Sequence, residues 1–265
     1  MISLEPPATS IPRQLALHHR AHAPGERIGF RYAGEDLEPG RLDQLLAAGG
    51  FSDGAVQRAL PDTVGPDMAV LLVGLNPSLH AADKGYAFAG PGNRFWPAAL
   101  EAGLVTAPHD SHRALLVDNV GMTDLVKHPT GTAGDLAPAE YHGGLPRIEW
   151  LCEWLSPAAV CFVGLTGYRA ARDARATAGW QDRPLGGSPV YLMPNPSGLN
   201  ARTSRSDLVA HFTELRTARA QRGIAASAGG ASPQGERGAQ RPPPIVQSSP
   251  STPTGQDTPV PPMPQ

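Results

Sequence analysis

Two stretches of the chain place the same polar turn after an apolar run. Residues 74–78 read GLNPS and residues 193–197 read MPNPS, and each stretch follows a hydrophobic segment. Proline cannot donate to a β ladder, so each run is predicted to end there as a strand. The carboxamide of Asn76 can orient a water molecule, but it cannot accept a proton as a carboxylate does. Taken alone, Asn76 is better explained as the residue that shapes an Asx turn.

The elements that position these turns follow an alternating pattern. Four apolar runs, MAVLLVGL, ALLVDNVGMT, AAVCFVGL and SPVYLMPNPS, are separated by segments with helical spacing. Strands that alternate with helices predict an α/β fold with a mostly parallel sheet covered on both faces. Ligands of such sheets bind beyond the carboxyl ends of the strands, where both Asn-Pro-Ser turns are expected to lie.

The flanking regions and the composition set further limits. Residues 1–64 are expected to be a partly ordered extension with a helix over residues 40–49, residues 65–222 to be the main domain, and residues 223–265 to be a disordered tail rich in Pro, Ser and Gly. The 22 Lys and Arg residues nearly balance the 24 Asp and Glu residues, so contact with nucleic acid requires a local basic patch. Without an apolar run long enough for a membrane span or a leader peptide, we expect a cytoplasmic protein.

Several common classes of α/β enzyme lack their motifs here. Neither the Gly-x-Gly-x-x-Gly dinucleotide fingerprint nor the Gly-Lys-Ser/Thr phosphate loop occurs, and the Gly-x-Ser-x-Gly turn of serine hydrolases is missing as well. Cys152 and Cys161 lie nine residues apart without flanking histidine pairs, which favours two buried thiols over a metal site. We therefore expect no metal and no organic cofactor.

Between these limits, several blocks resemble the mismatch-specific uracil-DNA glycosylase and thymine-DNA glycosylase family. That family carries Gly-Ile-Asn-Pro-Gly, followed by Phe-Ala-x-Pro-x-Asn-Arg-Phe-Trp; this chain has GLNPS and then FAGPGNRFW. The resemblance continues through NVGMTDLVKHPTGTAGDL to LMPNPSGLN, with all blocks in order over roughly residues 65–220. It implies a three-layer α/β/α sandwich with a four- to five-stranded sheet, and hydrolysis of the N-glycosidic bond of uracil or thymine mispaired with guanine.

The resemblance also implies roles for individual residues. The first turn becomes the floor of a pocket for a flipped base, where Asn76 positions the attacking water. The second loop enters the duplex, with Leu199 as an apolar wedge. Phe88 corresponds to the aromatic residue that stacks on the base, whereas Tyr86 fits either a pocket wall or simple packing. The remaining expected site residues are Gly74, Leu75 and Ser78 in the pocket, and Asn195, Ser197, Gly198, Asn200 and Arg202 on the DNA-contacting loop.

Asp124 and Ser78 depart from the family pattern. An amide alone cannot act as a base, so we predict that Asp124, after the second strand, supplements Asn76 as a general base or stabilises the cationic sugar; a surface carboxylate is the equal alternative. Ser78 replaces the glycine that ends the family motif. A small serine leaves partial room for the methyl group of thymine, which predicts uracil opposite guanine as the main substrate and thymine as a weaker one.

These expectations describe a monofunctional DNA-repair glycosylase that acts as a monomer on double-stranded DNA with G:U or G:T mispairs. Lys84 and Lys127 belong to no nucleophile motif, so lyase chemistry through an imine is not expected. Downstream base-excision-repair enzymes are the expected partners. Two alternatives remain open: a broader uracil-DNA glycosylase that also accepts single strands, and a catalytically silent DNA-binding module.

Overall fold

The computed structural model describes residues 1–229, and its centre is a five-stranded sheet. In chain order the strands are β1 Ile2–Leu4, β2 Phe30–Tyr32, β3 Phe51–Ser52, β4 Ala55–Val56, β5 Val70–Gly74, β6 Val120–Asp124, β7 Val160–Val163, β8 Gly179–Trp180 and β9 Val190–Met193. The order across the main sheet is β6-β5-β7-β9-β8; the first four strands are parallel, and β8 pairs antiparallel with β9.

Helices cover both faces of this sheet. They are α1 Ile11–Ala21, α2 Arg41–Ala48, α3 Leu79–Lys84, α4 Phe95–Glu101, α5 Ser111–Asp118, α6 Pro138–Leu155, α7 Leu165–Ala171 and α8 Arg205–Gly229, with short 3₁₀ turns at Ala8–Ser10 and Ala133–Asp135. Alternate strand residues enter different hydrophobic clusters: Leu72 packs with α4 and α8, while Leu71 packs with α6 and α7. This period of two is what a strand buried on both faces requires. The predicted α/β/α fold with a mostly parallel sheet is confirmed.

Residues 1–60 form a small layer of their own. The parallel pair β1–β2, the hairpin β3–β4 and helices α1 and α2 enclose a third hydrophobic cluster around Leu4, Ile11 and Phe51. Trp150 and Trp154 of α6 pack against this cluster and also against the cluster on the α6 face of the main sheet. The N-terminal layer is therefore packed onto the main sheet through two tryptophans. Of the predicted disordered tail, residues 223–229 are instead the last turns of α8, and residues 230–265 lie outside the described residues.

Two sequence-based assignments of secondary structure need correction. Residues 114–118, predicted as the start of a strand, are the second half of α5, and the strand begins only at Val120. The Asp110 carboxylate caps α5 by accepting from the Arg113 N–H at 2.9 Å, and Asn119 ends the helix in a left-handed conformation. The short strand β8 was not predicted at all, because two residues are too few to show a periodicity. None of the helices in the described part of the chain has the length and apolarity that a membrane span needs.

Candidate active site

The carboxyl ends of the parallel strands surround a cavity of about 210 Å³. Strands β5 and β6 stay hydrogen-bonded beyond the sheet, through Leu125 N to Gly74 O and Val126 N to Leu75 O, both at 2.9 Å. This continued pairing brings the turn after β5 against the end of β6. The cavity is lined by Leu60, Gly74, Leu75, Asn76, Pro77, Ser78, Ala81, Phe88, Gly90, Asn93, Asp124, Val163, Asn195 and Ser197. Both Asn-Pro-Ser turns therefore border one cavity, together with Asp124.

The carboxamide of Asn76 is held in one orientation. Its Nδ2 lies 2.8 Å from Thr130 Oγ1, 3.1 Å from His128 O and 3.2 Å from Pro77 O. The two carbonyl oxygens can only accept, and the Thr130 hydroxyl already donates to Thr132 O at 2.7 Å, so the amide nitrogen must face all three. The Oδ1 atom accepts no hydrogen bond from the described residues, which leaves it available to accept one from a water molecule. Sequence reasoning assigned no role to Thr130, because a threonine in a loop gives no signal of its own.

Asp124 is a cavity residue with a perturbed carboxyl group. Its side chain is only 7% exposed, so the surface alternative is wrong. Burial raises its pKa to about 6; the negative charge of Asp62 adds to this rise, while Lys127 and Arg147 oppose it. A carboxyl group with this pKa is mostly ionised at pH 7, yet it takes up a proton more readily than an ordinary aspartate. Such a group suits proton transfer in a cavity.

A buried ion cluster lies beside Asp124. Both Lys127 Nζ at 2.7 Å and Arg147 Nη1 at 2.6 Å bind the Asp62 carboxylate, which also accepts from Thr123 Oγ1 at 2.6 Å. Burial acts to raise the pKa of Asp62, but the charges of Arg147 and Lys127 outweigh burial and hold this pKa below its ordinary value. Arg147 also donates to the backbone carbonyl of Asp124. The cluster therefore fixes the end of β6, and sequence reasoning missed it because its members lie up to 85 residues apart.

Gly74 makes room for the Asp124 carboxylate. A Cβ atom at position 74 would lie 2.3 Å from Asp124 Oδ1 and 3.7 Å from Cε1 of Phe88. The first distance is far shorter than any real contact. Strands β5 and β6 pair Gly74 directly with Asp124, so the carboxylate can lie over the strand only where no side chain intervenes.

We expect Gly74→Ala to slow any reaction that uses the Asp124 carboxylate about 100-fold in single-turnover rate, because the added methyl group displaces that carboxylate by about an ångström. Gly90→Ala is the matched control: Gly90 lines the same cavity, and a Cβ there meets no atom within 4 Å. This control should stay within about twofold of the parent rate. Equal losses in both variants would mean that the added volume, and not the displaced carboxylate, is responsible.

The two predicted aromatic residues lie in different places. Phe88 lines the cavity and stacks on Phe95, with ring centroids 4.0 Å apart and planes at 17°. Its backbone has φ of 57°, which is unusual for a bulky residue and is typical of functional sites. Tyr86 does not line the cavity; its ring packs against Trp96 and His109 instead. The assignment of Tyr86 to the pocket is therefore corrected in favour of packing.

Leu75 and Ser78 line the cavity as predicted, but each has a structural contact as well. The Ser78 hydroxyl caps α3 by accepting from the Ala81 N–H at 3.1 Å. Leu75 packs against the cluster on the α6 face, and a Cβ at Gly167 would lie 2.9 Å from its Cδ1. The turn that forms the floor of the cavity is therefore held by α3 on one side and by the cluster on the α6 face on the other.

The second loop projects a bare apolar side chain. Leu199 is 96% exposed, which is exceptional for a large apolar residue and suits insertion into another molecule. Gly198 lies so close to the neighbouring loop that a Cβ would come within 2.7 Å of Gly92 O. The loop base is closed by Asn195, whose Oδ1 accepts from the Ser197 N–H at 2.9 Å. The projecting tip therefore stands on a compact base.

Arg94 holds this loop in place. Its guanidinium donates to the backbone carbonyls of Ser197 at 2.9 Å and Asn200 at 2.8 Å, and also to that of Thr203. The Asn200 amide is used within the loop too, because Nδ2 donates to Asn195 O at 2.9 Å and to Thr203 Oγ1 at 3.0 Å. Arg202, by contrast, is exposed, and its guanidinium makes no hydrogen bond or ion pair within the described residues. Arg202 is thus better placed than Asn200 to contact another molecule.

The described residues offer little that could bind a metal ion. Across residues 1–229, no group of three or more His, Cys, Asp or Glu side chains is arranged to hold an ion. Cys152 and Cys161 are free and buried, and burial raises the pKa of both thiols, that of Cys152 to about 12. Such thiols are poor nucleophiles and poor ligands at neutral pH.

Fold and cavity together define an α/β/α protein whose polar site, built from an oriented amide, an ionisable carboxyl group and an aromatic ring, lies at the carboxyl edge of a parallel sheet. A family model described as the uracil DNA glycosylase superfamily matches residues 61–217, which is more than half of the chain. The chain belongs to this superfamily. Membership makes it a DNA glycosylase, a hydrolase of DNA repair, and the match contains every lining residue of the cavity except Leu60.

Proposed function

We propose that this protein removes uracil from G:U mispairs, and thymine from G:T mispairs more slowly, by hydrolysis of the N-glycosidic bond. One observation carries the proposal: Asn76, Asp124 and Phe88 line a single cavity between two loops, one of which carries the exposed Leu199. A cavity of about 210 Å³ lies below the roughly 300–1,000 Å³ of sites for drug-sized ligands, and it suits a single small ring.

The geometry supports a division of labour in the reaction. The base turns out of the duplex and stacks on Phe88, while Leu199 fills the space that the base has left. Oδ1 of Asn76 accepts a hydrogen bond from a water molecule near the anomeric carbon. The bond from the sugar to the base breaks with its electron pair leaving on the base, and the oxygen of the water bonds to the anomeric carbon.

Asp124 is the base of this scheme. Its ionised carboxylate stabilises the positive charge that develops on the sugar and accepts the proton that the water loses. Neither of the two lysines lines the cavity: Lys127 is bound to Asp62 and to Leu60 O, and Lys84 is exposed on α3. These positions favour hydrolysis over imine chemistry, and hence an intact abasic strand as the product.

The first alternative is a broader glycosylase that also accepts single strands. It differs from the proposed mismatch-specific enzyme in its use of Leu199 as a wedge. The exposed Leu199 can fill the space that a base leaves in a stacked duplex, and a single strand has no such stack to open. The silent DNA-binding module has least support, since a perturbed carboxyl group and an oriented amide in one cavity serve chemistry and not binding alone.

We further propose that the protein is cytoplasmic, acts on DNA as a monomer and delivers abasic sites to downstream repair enzymes.

The test is single-turnover base release from labelled oligonucleotides that contain G:U, A:U, G:T or single-stranded uracil in one sequence context. We expect release from G:U to be fastest and release from G:T to be about 10- to 200-fold slower, because thymine must fit one additional methyl group. Strand scission should require alkali. Equal rates for G:U and G:T would refute the proposed preference, fast release from single strands would favour the broader enzyme, and binding without release would favour the silent module.

A further inference from the structure

A second cleft lies between α1 and α3. Its volume, about 440 Å³, is twice that of the cavity, and it is lined by His19, Arg20, His22, Pro24, Arg58, Ala59, Ala82, Asp83, Lys84 and Gly85. Three of these ten residues are arginine or lysine, two are histidines and one is acidic. Asp83 is already used, because it binds Arg58 through two contacts of 2.7 and 2.6 Å. Within the described residues, Arg20 and Lys84 are exposed, and their charged groups make no hydrogen bond or ion pair.

The basic surface continues along α1. Arg13 and Arg20 are seven residues apart, so they lie on the same face of the helix, about 10 Å from each other. Both approach His112 of α5: burial lowers the pKa of His112, and the charge of Arg20 and then that of Arg13 lower it further, against the opposing effect of Asp110. A line of positive charge therefore leads from the cleft along one side of the N-terminal layer.

Helix α3 lies between the cleft and the cavity. Ser78 and Ala81 of the α3 region border the cavity, while Lys84 at the other end of the helix borders the cleft. A helix of six residues is about 9 Å long. Since successive phosphates of one DNA strand are spaced about 3.4 Å along the helix axis, this length corresponds to about three nucleotides. The strand that carries a base in the cavity would reach the cleft within that distance.

We propose that this cleft binds the sugar-phosphate backbone of the DNA about three nucleotides from the flipped base, with Arg20 and Lys84 as the phosphate contacts. The chain's overall charge does not attract DNA, so affinity must come from such a local basic surface. Arg20 lies outside the matched residues 61–217, which gives the N-terminal layer a purpose in binding. Because the ligand is the DNA on which the proposed glycosylase acts, the proposal rests on that function.

The test compares Arg20→Gln, Lys84→Gln and the double variant with the parent. The probe is a G:U duplex whose uridine carries a 2′-fluoro group that blocks hydrolysis, and Kd is measured from 50 to 200 mM salt. Each lost contact should make the negative slope of log K against log salt shallower by about 0.9 and weaken binding roughly 10-fold at 50 mM salt. Base release from an ordinary G:U duplex at saturating protein should stay within twofold of the parent.

The matched control is Arg183→Gln with Arg216→Gln, which removes the same charge elsewhere. Arg183 precedes the amino end of β9. Arg216 lies on α8, about 16 Å from the end of the helix that follows the loop carrying Leu199. Equal effects in the two double variants would reveal only a general field effect and would overturn the proposal, as would an unchanged salt slope. A parent protein that fails to release uracil would instead refute the proposed function.

Shortened duplexes locate the contact. When the DNA is cut back to the uracil on one side only, the difference between the parent and the Arg20/Lys84 double variant should vanish for one of the two sides and persist for the other. A difference that survives both truncations would place the two side chains away from the backbone path and would contradict the proposal.

Discussion

Replacement of Asn76 by alanine is expected to slow single-turnover release of uracil about 100- to 1,000-fold while DNA affinity changes little. Three acceptors hold the side chain, so Oδ1 is already oriented in the folded protein and need not be oriented during the reaction. Alanine keeps the turn, because Pro77 still ends the strand, but it leaves the attacking water without a fixed acceptor. Rates at saturating protein and Kd for the 2′-fluoro duplex separate chemistry from binding.

Two further variants show whether orientation is what matters. Thr130→Val keeps the carboxamide but removes its nearest acceptor, at 2.8 Å, so we expect a loss of about 10-fold. Asn76→Asp replaces a donor that faces two carbonyl oxygens with a carboxylate, which is repelled by both; activity should fall although a stronger base has been added. If Asn76→Asp matched or exceeded the parent, the amide would not be acting through its orientation.

Strand ends and turns were predictable from the sequence because they depend on local rules. A proline such as Pro77 or Pro196 has no N–H to donate to a β ladder, so a strand is expected to end before it. Apolar runs without charges indicate burial on both faces. Those rules placed both Asn-Pro-Ser turns at one sheet edge. The identity of the pocket residues needed more: a lone Asn76 fits an Asx turn, and only the sequence blocks shared with the glycosylases indicated chemistry.

Other features depend on contacts that no local pattern contains. Asp62 meets Lys127 and Arg147 from 65 and 85 residues away, and nothing in their surroundings in the sequence indicates the pairing. Local rules also failed at residues 114–118, where an apolar run reads as a strand, while the structure exposes Leu116 and Val117 and buries Leu115, as a helix on the sheet surface does. The cleft beside α3 likewise arises only when α1 packs there.

Asp124→Asn is expected to reduce base release at pH 8 by about 100-fold or more, and to remove the pH dependence that the parent shows near pH 6. The carboxyl group has its pKa raised to about 6, so the parent rate should fall as the pH decreases through that value and the carboxylate takes up a proton. An asparagine does not titrate, so the variant should give a low, flat profile between pH 5 and 8. Single-turnover rates in that range measure this directly.

The same substitution is expected to stabilise the fold, and this gain in stability should grow as the pH rises. A folded pKa above the ordinary value of 3.8 means that the ionised form is destabilised by burial; the cost is full above pH 6 and is relieved as the pH falls from 6 towards 4. At about 1.4 kcal/mol per unit, the variant gains up to about 3 kcal/mol in free energy of unfolding at pH 8 and almost nothing near pH 4. Urea unfolding at both pH values measures the difference.

Asp118→Asn is the matched control, because it neutralises another carboxyl group that is 7% exposed but does not line the cavity. It should keep the parent's pH profile for base release. If Asp124 is a general base in a desolvated cavity, activity should fall and stability should rise when its carboxyl group is neutralised. Both effects have one cause, because the burial that destabilises the ionised carboxylate also raises its basicity. Loss of stability together with loss of activity in Asp124→Asn would instead identify Asp124 as a structural partner of Lys127 and Arg147, and would leave Asn76 as the principal group that acts on the water.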